Sequence, residues 1–209
     1  MSGSPLPNID LSGNILEFFQ SAVGDAMSHH GFEATSAAQS YLVGVLADYA
    51  RPDQLSGETL SRPLTLLLDE AMHASGHERF ERLRSLGDGV LYVSGFFGGH
   101  LENRGVELDY VRTLGARAYD ALSIMLHGAA GSAAFDPAHP DVFRELAVKF
   151  AMFVDLLSRV ADTLFANSAR TDRAILELYE RWLKTRSTSL ASALSARGVV
   201  PLRGDGTLH

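Results

Sequence analysis

Apolar side chains recur at three- and four-residue spacing from about residue 12 to residue 196, and no stretch alternates strictly, so the pattern predicts an all-α chain. A first helix carries Leu16, Phe19, Val23 and Met27 on one stripe and stops near Gly31, with His29 and His30 at the end where imidazole suits the helix dipole. Thr35 or Ser36 caps a second, whose Leu42, Val45, Leu46 and Tyr49 point inward until Arg51-Pro52-Asp53 breaks the chain. Ser61, with Pro63 in the first turn, opens a third through Leu64, Leu67, Leu68 and Met72, and Gly76 ends or kinks it.

Glu78 to Asn103 reads as one long or broken helix with Leu83, Leu86, Val90, Phe97 and Leu101 on its seam, closed by Gly105. Asp109 caps the next, through Val111, Leu114, Ala118, Leu122 and Met125, and a loop rich in small residues and proline runs from Gly128 to Pro140. Leu146, Phe150, Phe153, Leu157, Val160 and Leu164 then alternate by four and three, the cleanest seam in the chain, with Glu145 to Lys149 and Asp155 to Arg159 as i,i+4 pairs. Thr171 or Asp172 starts a helix through Ile175, Leu178, Tyr179 and Trp182, and Ser187 starts a last short one ending at Gly198. The sum is a single-domain multi-helix bundle of about seven to eight helices over 12–198, with a flexible N-terminus, 1–11, and a loose tail, 199–209.

Composition narrows the chemistry. A chain of 209 residues, 46% hydrophobic and 21% charged, buries a core without staples. A net charge of −7 repels phosphate backbones and anionic membranes, and glutamates neutralise much of the most basic run, Glu78-Arg79-Phe80-Glu81-Arg82-Leu83-Arg84, so no nucleic-acid partner is expected. The absence of cysteine removes disulfides, thiolate nucleophiles and Cys-ligated metals. The start lacks a basic and apolar leader and no apolar run approaches ~18 residues, which predicts a cytoplasmic protein outside the membrane. Walker, dinucleotide-binding and Gly-x-Ser-x-Gly signatures are missing, and Arg203-Gly204-Asp205 is read as chance.

The unusual stretch is Leu86-Gly87-Asp88-Gly89-Val90-Leu91-Tyr92-Val93-Ser94-Gly95-Phe96-Phe97-Gly98-Gly99-His100. Each glycine inside a helix costs about 1 kcal/mol relative to alanine, so so many require compensation. Ser94 with Gly98 and Gly95 with Gly99 stand four apart and admit a close helix, which makes Gly95, Gly98, Gly99 and His100 candidate partner contacts. Alternatively a kink lets a flat ligand approach, in a pocket of Tyr92, Phe96, Phe97 and Met125.

Asp88 stands within this apolar stretch, one turn after Arg84 and one before Tyr92, and is read as a structural ion pair with Arg84, Arg112 or Arg117. The competing reading gives it general acid or base work, with Tyr92 and His100 on its face. His73 and His77 have ligand spacing if the helix runs across Gly76, but they form no HExxH motif and are read as exposed, so no metal is expected.

The phrases Leu83-Arg84-Ser85-Leu86-Gly87-Asp88, Val93-Ser94-Gly95-Phe96-Phe97, Leu114-Gly115-Ala116-Arg117-Ala118-Tyr119 and Leu178-Tyr179-Glu180-Arg181-Trp182-Leu183 resemble a family of bacterial all-helical proteins of about this length to which no activity is attached. The resemblance covers roughly residues 12 to 201 and implies that these phrases form one unit. Leu86-Gly87-Asp88 followed by glycines is also similar to the distal helix of haem oxygenases, although the spacing to Gly98-Gly99 is longer and no proximal histidine motif lies near the N-terminus. The leading expectation is a non-enzymatic interaction or regulatory module without a cofactor, binding a protein partner or a second copy of itself as a homodimer. The alternative is a cofactor- or small-apolar-ligand-binding protein of the haem-oxygenase-like helical class, with enzymatic activity open.

Overall fold

Local capping chemistry sets the element boundaries in the computed structural model, which describes residues 11–50, 62–103, 105–129, 141–168 and 171–201. Among the described residues there are nine helices and no strand: α1 Leu11–His30, α2 Ser36–Tyr49, α3 Leu64–His73, α4 Gly76–Asn103, α5 Leu108–Ala129, α6 Val142–Val148, α7 Phe150–Ser168, α8 Asp172–Thr185 and α9 Thr188–Ser195. The Thr35 hydroxyl accepts the Ala38 N–H to open α2, Asp141 accepts that of Arg144 to open α6, and Thr171 accepts that of Ala174 to open α8. Gly105, at φ +74°, supplies the left-handed turn between α4 and α5. Asp109 sits in the first turn of α5 rather than at its cap, because the helix begins at Leu108.

The count exceeds the expected seven to eight because the cleanest seam is broken at Lys149 (φ −100°, ψ 19°) into α6 and α7. The break coincides with an anchor. Lys149 Nζ donates to Glu145 at 2.9 Å and to the Glu33 carbonyl at 3.0 Å, while Glu145 accepts both the backbone N–H and the hydroxyl of Thr35. Partial burial pushes the Glu145 carboxyl up, but these hydrogen bonds from Thr35 and Lys149 outweigh it and hold the group below its ordinary value. The other expected pair is replaced: Asp155 takes Arg112 of α5 at 3.2 Å.

Buried glycines bring α4, α5 and α7 together. A Cβ on Gly87 would lie 2.6 Å from the Tyr119 ring, one on Gly95 would lie 2.5 Å from Leu157, and one on Gly115 would collide with Phe150 and Val90. These contacts make α4 and α5 antiparallel neighbours, with Gly87 level with Tyr119 and Gly98 level with Leu108. The main core joins α1 to α7 around Leu42, Leu46, Leu83, Leu91, Tyr119, Leu122, Leu146, Phe153 and Leu157, whereas Leu16, Met72 and Phe97 of the expected stripes are exposed. A second, smaller cluster forms where Ala166 of α7 meets Leu178, Trp182, Leu190 and Leu194 of α8 and α9. No helix among the described residues is long and apolar enough to cross a membrane. Residues 1–10, the break at Arg51-Pro52-Asp53, Ser61, residues 130–140 of the loop and the tail from residue 202 lie outside the described residues.

Candidate functional site

Asp88 is the meeting point of three helices. Tyr41 of α2 and Tyr119 of α5 each donate a hydroxyl to its Oδ1 at 2.7 Å, and Arg84 Nε stands 3.7 Å from Oδ2. Burial raises the Asp88 carboxyl to about 6, against the opposing pull of the two phenols and Arg84. Burial, reinforced by the Asp88 charge, likewise raises Tyr41 and Tyr119, and pushes Tyr49 up to about 12, so the phenols are neutral donors at physiological pH. Of the three expected arginine partners only Arg84 approaches. Arg112 is turned to Asp155 and Asp109, and Arg117 is exposed, since the α5 face that meets α4 presents Tyr119 and Gly115 instead. The carboxylate is filled by its own protein: Tyr41 packs edge-on against Phe143, and Tyr119 lies between Phe143 and Phe150. Tyr92 is not at this carboxylate but stacked between Tyr49 at 4.6 Å and Phe96 at 4.8 Å.

The glycine-rich helix is kinked nine residues after Asp88, where Phe97 leaves helical geometry (φ −124°, ψ 19°). A kink releases backbone groups from the helical ladder, and the Phe96 carbonyl is taken by Arg181 of α8 at 2.9 Å. Arg181 also donates to Asp162 at 2.5 Å and lies 4.8 Å over the Phe165 ring, so this one guanidinium ties the smaller cluster to the kink. Asp162 is almost wholly buried, with a side-chain exposure of 4%.

Beside this joint lies a cavity of about 160 Å³ between Ser94, Gly95 and Gly98 of α4, Arg112 of α5, and Arg181 and Lys184 of α8. Ser94 Oγ and Arg112 Nε are buried without a hydrogen-bond partner. Such groups are costly in a folded protein. The sequence pattern singled out Ser94 and the glycines as a small-residue face and Arg112 only as a partner for Asp88, but not Arg181 or Lys184, which come from a helix remote in sequence. The one local signal was the pair of buried-seam neighbours Ala161 and Asp162, a carboxylate beside an apolar stripe.

The remaining candidate residues separate. Gly95, expected at a partner contact, is spent inside the chain against Leu157, and Gly99 lies under the Lys184 stem, its Cβ position 3.4 Å from Cδ. The His100 side chain lies outside the described residues. Tyr92, Phe96 and Phe97 cluster, but Met125 stands on α5 about 25 Å along the axis from the level of Leu108, given 1.5 Å per residue, so the four do not line one pocket. At Gly87 the backbone of α4 is covered by the Tyr119 ring of α5. His73 and His77 fall on different helices, because Gly76 turns the chain at φ +56°; His73 hydrogen-bonds the Asp69 carbonyl, and His77 lies 4.0 Å from Glu81. Among the described residues no three His, Asp or Glu side chains gather at metal-binding distance.

Compared with family models, with curated proteins and with solved structures, the chain matches none.

Proposed function

We propose that the chain is a non-enzymatic regulatory module that binds a small ligand in the cavity at the α4 kink. The observation that carries this reading is the cavity's position: it opens between α4, α5 and α7 of the main bundle on one side and α8 on the other. The regulatory element is the C-terminal pair α8 and α9, which has its own small core and meets the kink through Arg181. A ligand seated there touches both bodies and favours their docked arrangement over an open one. The Asp88 cluster supports a structural role beside it, since its acceptor oxygen is already occupied by two phenols.

The test is hydrogen exchange on the intact protein, coupled to native mass spectrometry of material purified without denaturation. A bound small molecule at one per chain that slows exchange across 172–195, with little change in α2, is the expected result. A protein that carries no small molecule, and whose 172–195 exchange is indifferent to a broad set of small metabolites, would refute the reading.

A further inference from the structure

We infer that Met72 is a modification site, oxidised to the sulfoxide by hydroperoxides, and that Arg79 receives the new oxygen, so that oxidation fastens α3 to α4. The inference is independent of the cavity at the α4 kink.

Met72 lies in the last turn of α3 and Arg79 in the first turn of α4, on either side of the bend that Gly76 makes at φ +56°. The Arg79 Nη2 donates to the Met72 Sδ at 3.6 Å, and this is the one hydrogen bond the guanidinium makes among the described residues. The carboxylates of this elbow stand against other side chains. Glu70 lies 2.5 Å from Arg62 and 3.8 Å from Arg82, Glu78 lies 2.6 Å from Arg82, Asp69 lies 3.5 Å from His73, and Glu81 lies 4.0 Å from His77. A full positive charge is thus left facing a thioether, which is a weak acceptor. A sulfoxide oxygen carries a strong negative partial charge, and a bond to it from a guanidinium is charge-assisted.

Access favours the same sulfur. Met72 is 44% exposed, whereas Met27, Met125 and Met152 are half-buried. In the reaction a sulfur lone pair attacks the terminal oxygen of the hydroperoxide, the S–O bond forms as the O–O bond breaks, and the departing oxygen takes the hydroxyl proton and leaves as an alcohol, or as water from hydrogen peroxide. Sulfur gives up two electrons and the peroxide accepts them. Arg79 takes no part in the electron transfer; it acts on the product by donating to the oxygen bound to sulfur. Oxidation of a packed methionine loosens its surroundings because a polar group replaces an apolar one. At Met72 the exposed side chain has little packing to lose and gains a bond between two helices, so the sign is reversed. Sulfoxides are enzymatically reducible, which makes the fastening reversible.

The experiment treats the full chain with hydrogen peroxide, maps oxidation by peptide mass spectrometry, and follows hydrogen exchange across 64–79 before and after. The variants are Arg79→Ala, Met72→Leu and Met72→Gln, the last of which carries an amide oxygen in place of the sulfoxide oxygen. Met72 should oxidise before Met27, Met125 and Met152, and exchange across 64–79 should then slow about threefold to tenfold. Met72→Gln should show slowed exchange without peroxide, and neither Arg79→Ala nor Met72→Leu should respond to it. Circular dichroism checks that the variants fold, and the two Met72 variants carry the test if Arg79→Ala does not. Oxidation of the half-buried methionines ahead of Met72 would overturn the site. Unchanged or faster exchange in the parent once Met72 is oxidised would overturn the role of Arg79, as would an equal slowing in Arg79→Ala.

Discussion

Replacing Asp88 by asparagine and by alanine separates two opposing energies in the same side chain. The carboxyl is raised from 3.8 to about 6, so its ionised form is disfavoured in the fold by about 3 kcal/mol at neutral pH relative to the unfolded chain. Asparagine keeps an acceptor for the Tyr41 and Tyr119 hydroxyls and removes the charge, so Asp88→Asn should be more stable than the parent at pH 7 by up to about 3 kcal/mol. Alanine also removes the charge but leaves the wholly buried Tyr119 hydroxyl, and the half-buried Tyr41 hydroxyl, without their acceptor. At about 1–3 kcal/mol per buried orphaned group, Asp88→Ala should fall below Asp88→Asn by about 2–4 kcal/mol. The penalty is not that of an abandoned buried guanidinium, because Arg84 is 42% exposed and can turn to water. The sign with pH follows from a raised folded value. The stability from protonating Asp88 is fully present below 3.8 and is lost as pH rises through about 6, so the advantage of Asp88→Asn over the parent should shrink between pH 7 and pH 4. Urea unfolding of the three proteins at both pH values measures all of this. Equal stability of the Asn and Ala variants would refute the role of the shared acceptor, and a parent-to-Asn gap that does not move with pH would refute the effect of burial.

Gly95→Ala should destabilise by about 1–3 kcal/mol despite its helix propensity, because the new Cβ would lie 2.5 Å from Leu157. Gly44→Ala, with nothing within 4 Å of its Cβ, should stabilise by about 0.5–1 kcal/mol; thermal melts that rank the two the other way would contradict the packing described. Arg181→Ala strands the buried Asp162 at a cost of about 3–5 kcal/mol and should speed hydrogen exchange in α8 and α9 before α4 and α5; uniform loosening would show that the two cores are one unit. Purified protein should carry no stoichiometric zinc, iron or manganese by elemental analysis, and one metal per chain that disappears on changing both His73 and His77 to alanine would show that the pair is a site.

Fold class was legible because it depends on periodicity, and the caps Thr35 and Thr171 act within three residues of themselves, although the same local chemistry at Asp141 was not singled out. What escaped was whatever depends on contacts distant in sequence. The seam from Leu146 to Leu164 is unbroken as a pattern, yet the helix breaks at Lys149, where that lysine reaches Glu33, 116 residues away. Asp88 announced itself as a carboxylate among apolar neighbours, but its partners were guessed by charge. The side chains that reach it are phenols on α2 and α5, since a tyrosine brings a donor together with apolar surface that a core can absorb.

The glycine-rich stretch carries two functions that its spacing could not distinguish. Gly87 and Gly95 are packing glycines, each opposed by a side chain of another helix at a separation no Cβ could tolerate without movement. Gly98 and Gly99 have room: a Cβ at Gly98 would meet only Leu108 at 3.6 Å, and one at Gly99 would meet only the lysine stem. The difference arises at Phe97, where the helix departs from its axis and the face beyond the kink is no longer pressed against α7. A straight helix would have let the Ser94, Gly95, Gly98 and Gly99 face continue along its neighbour as one small-residue seam. The kink instead brings Arg181 onto the released Phe96 carbonyl, and α8 thereby forms a wall opposite Ser94. The same local break thus anchors the smaller core and creates the space beside it.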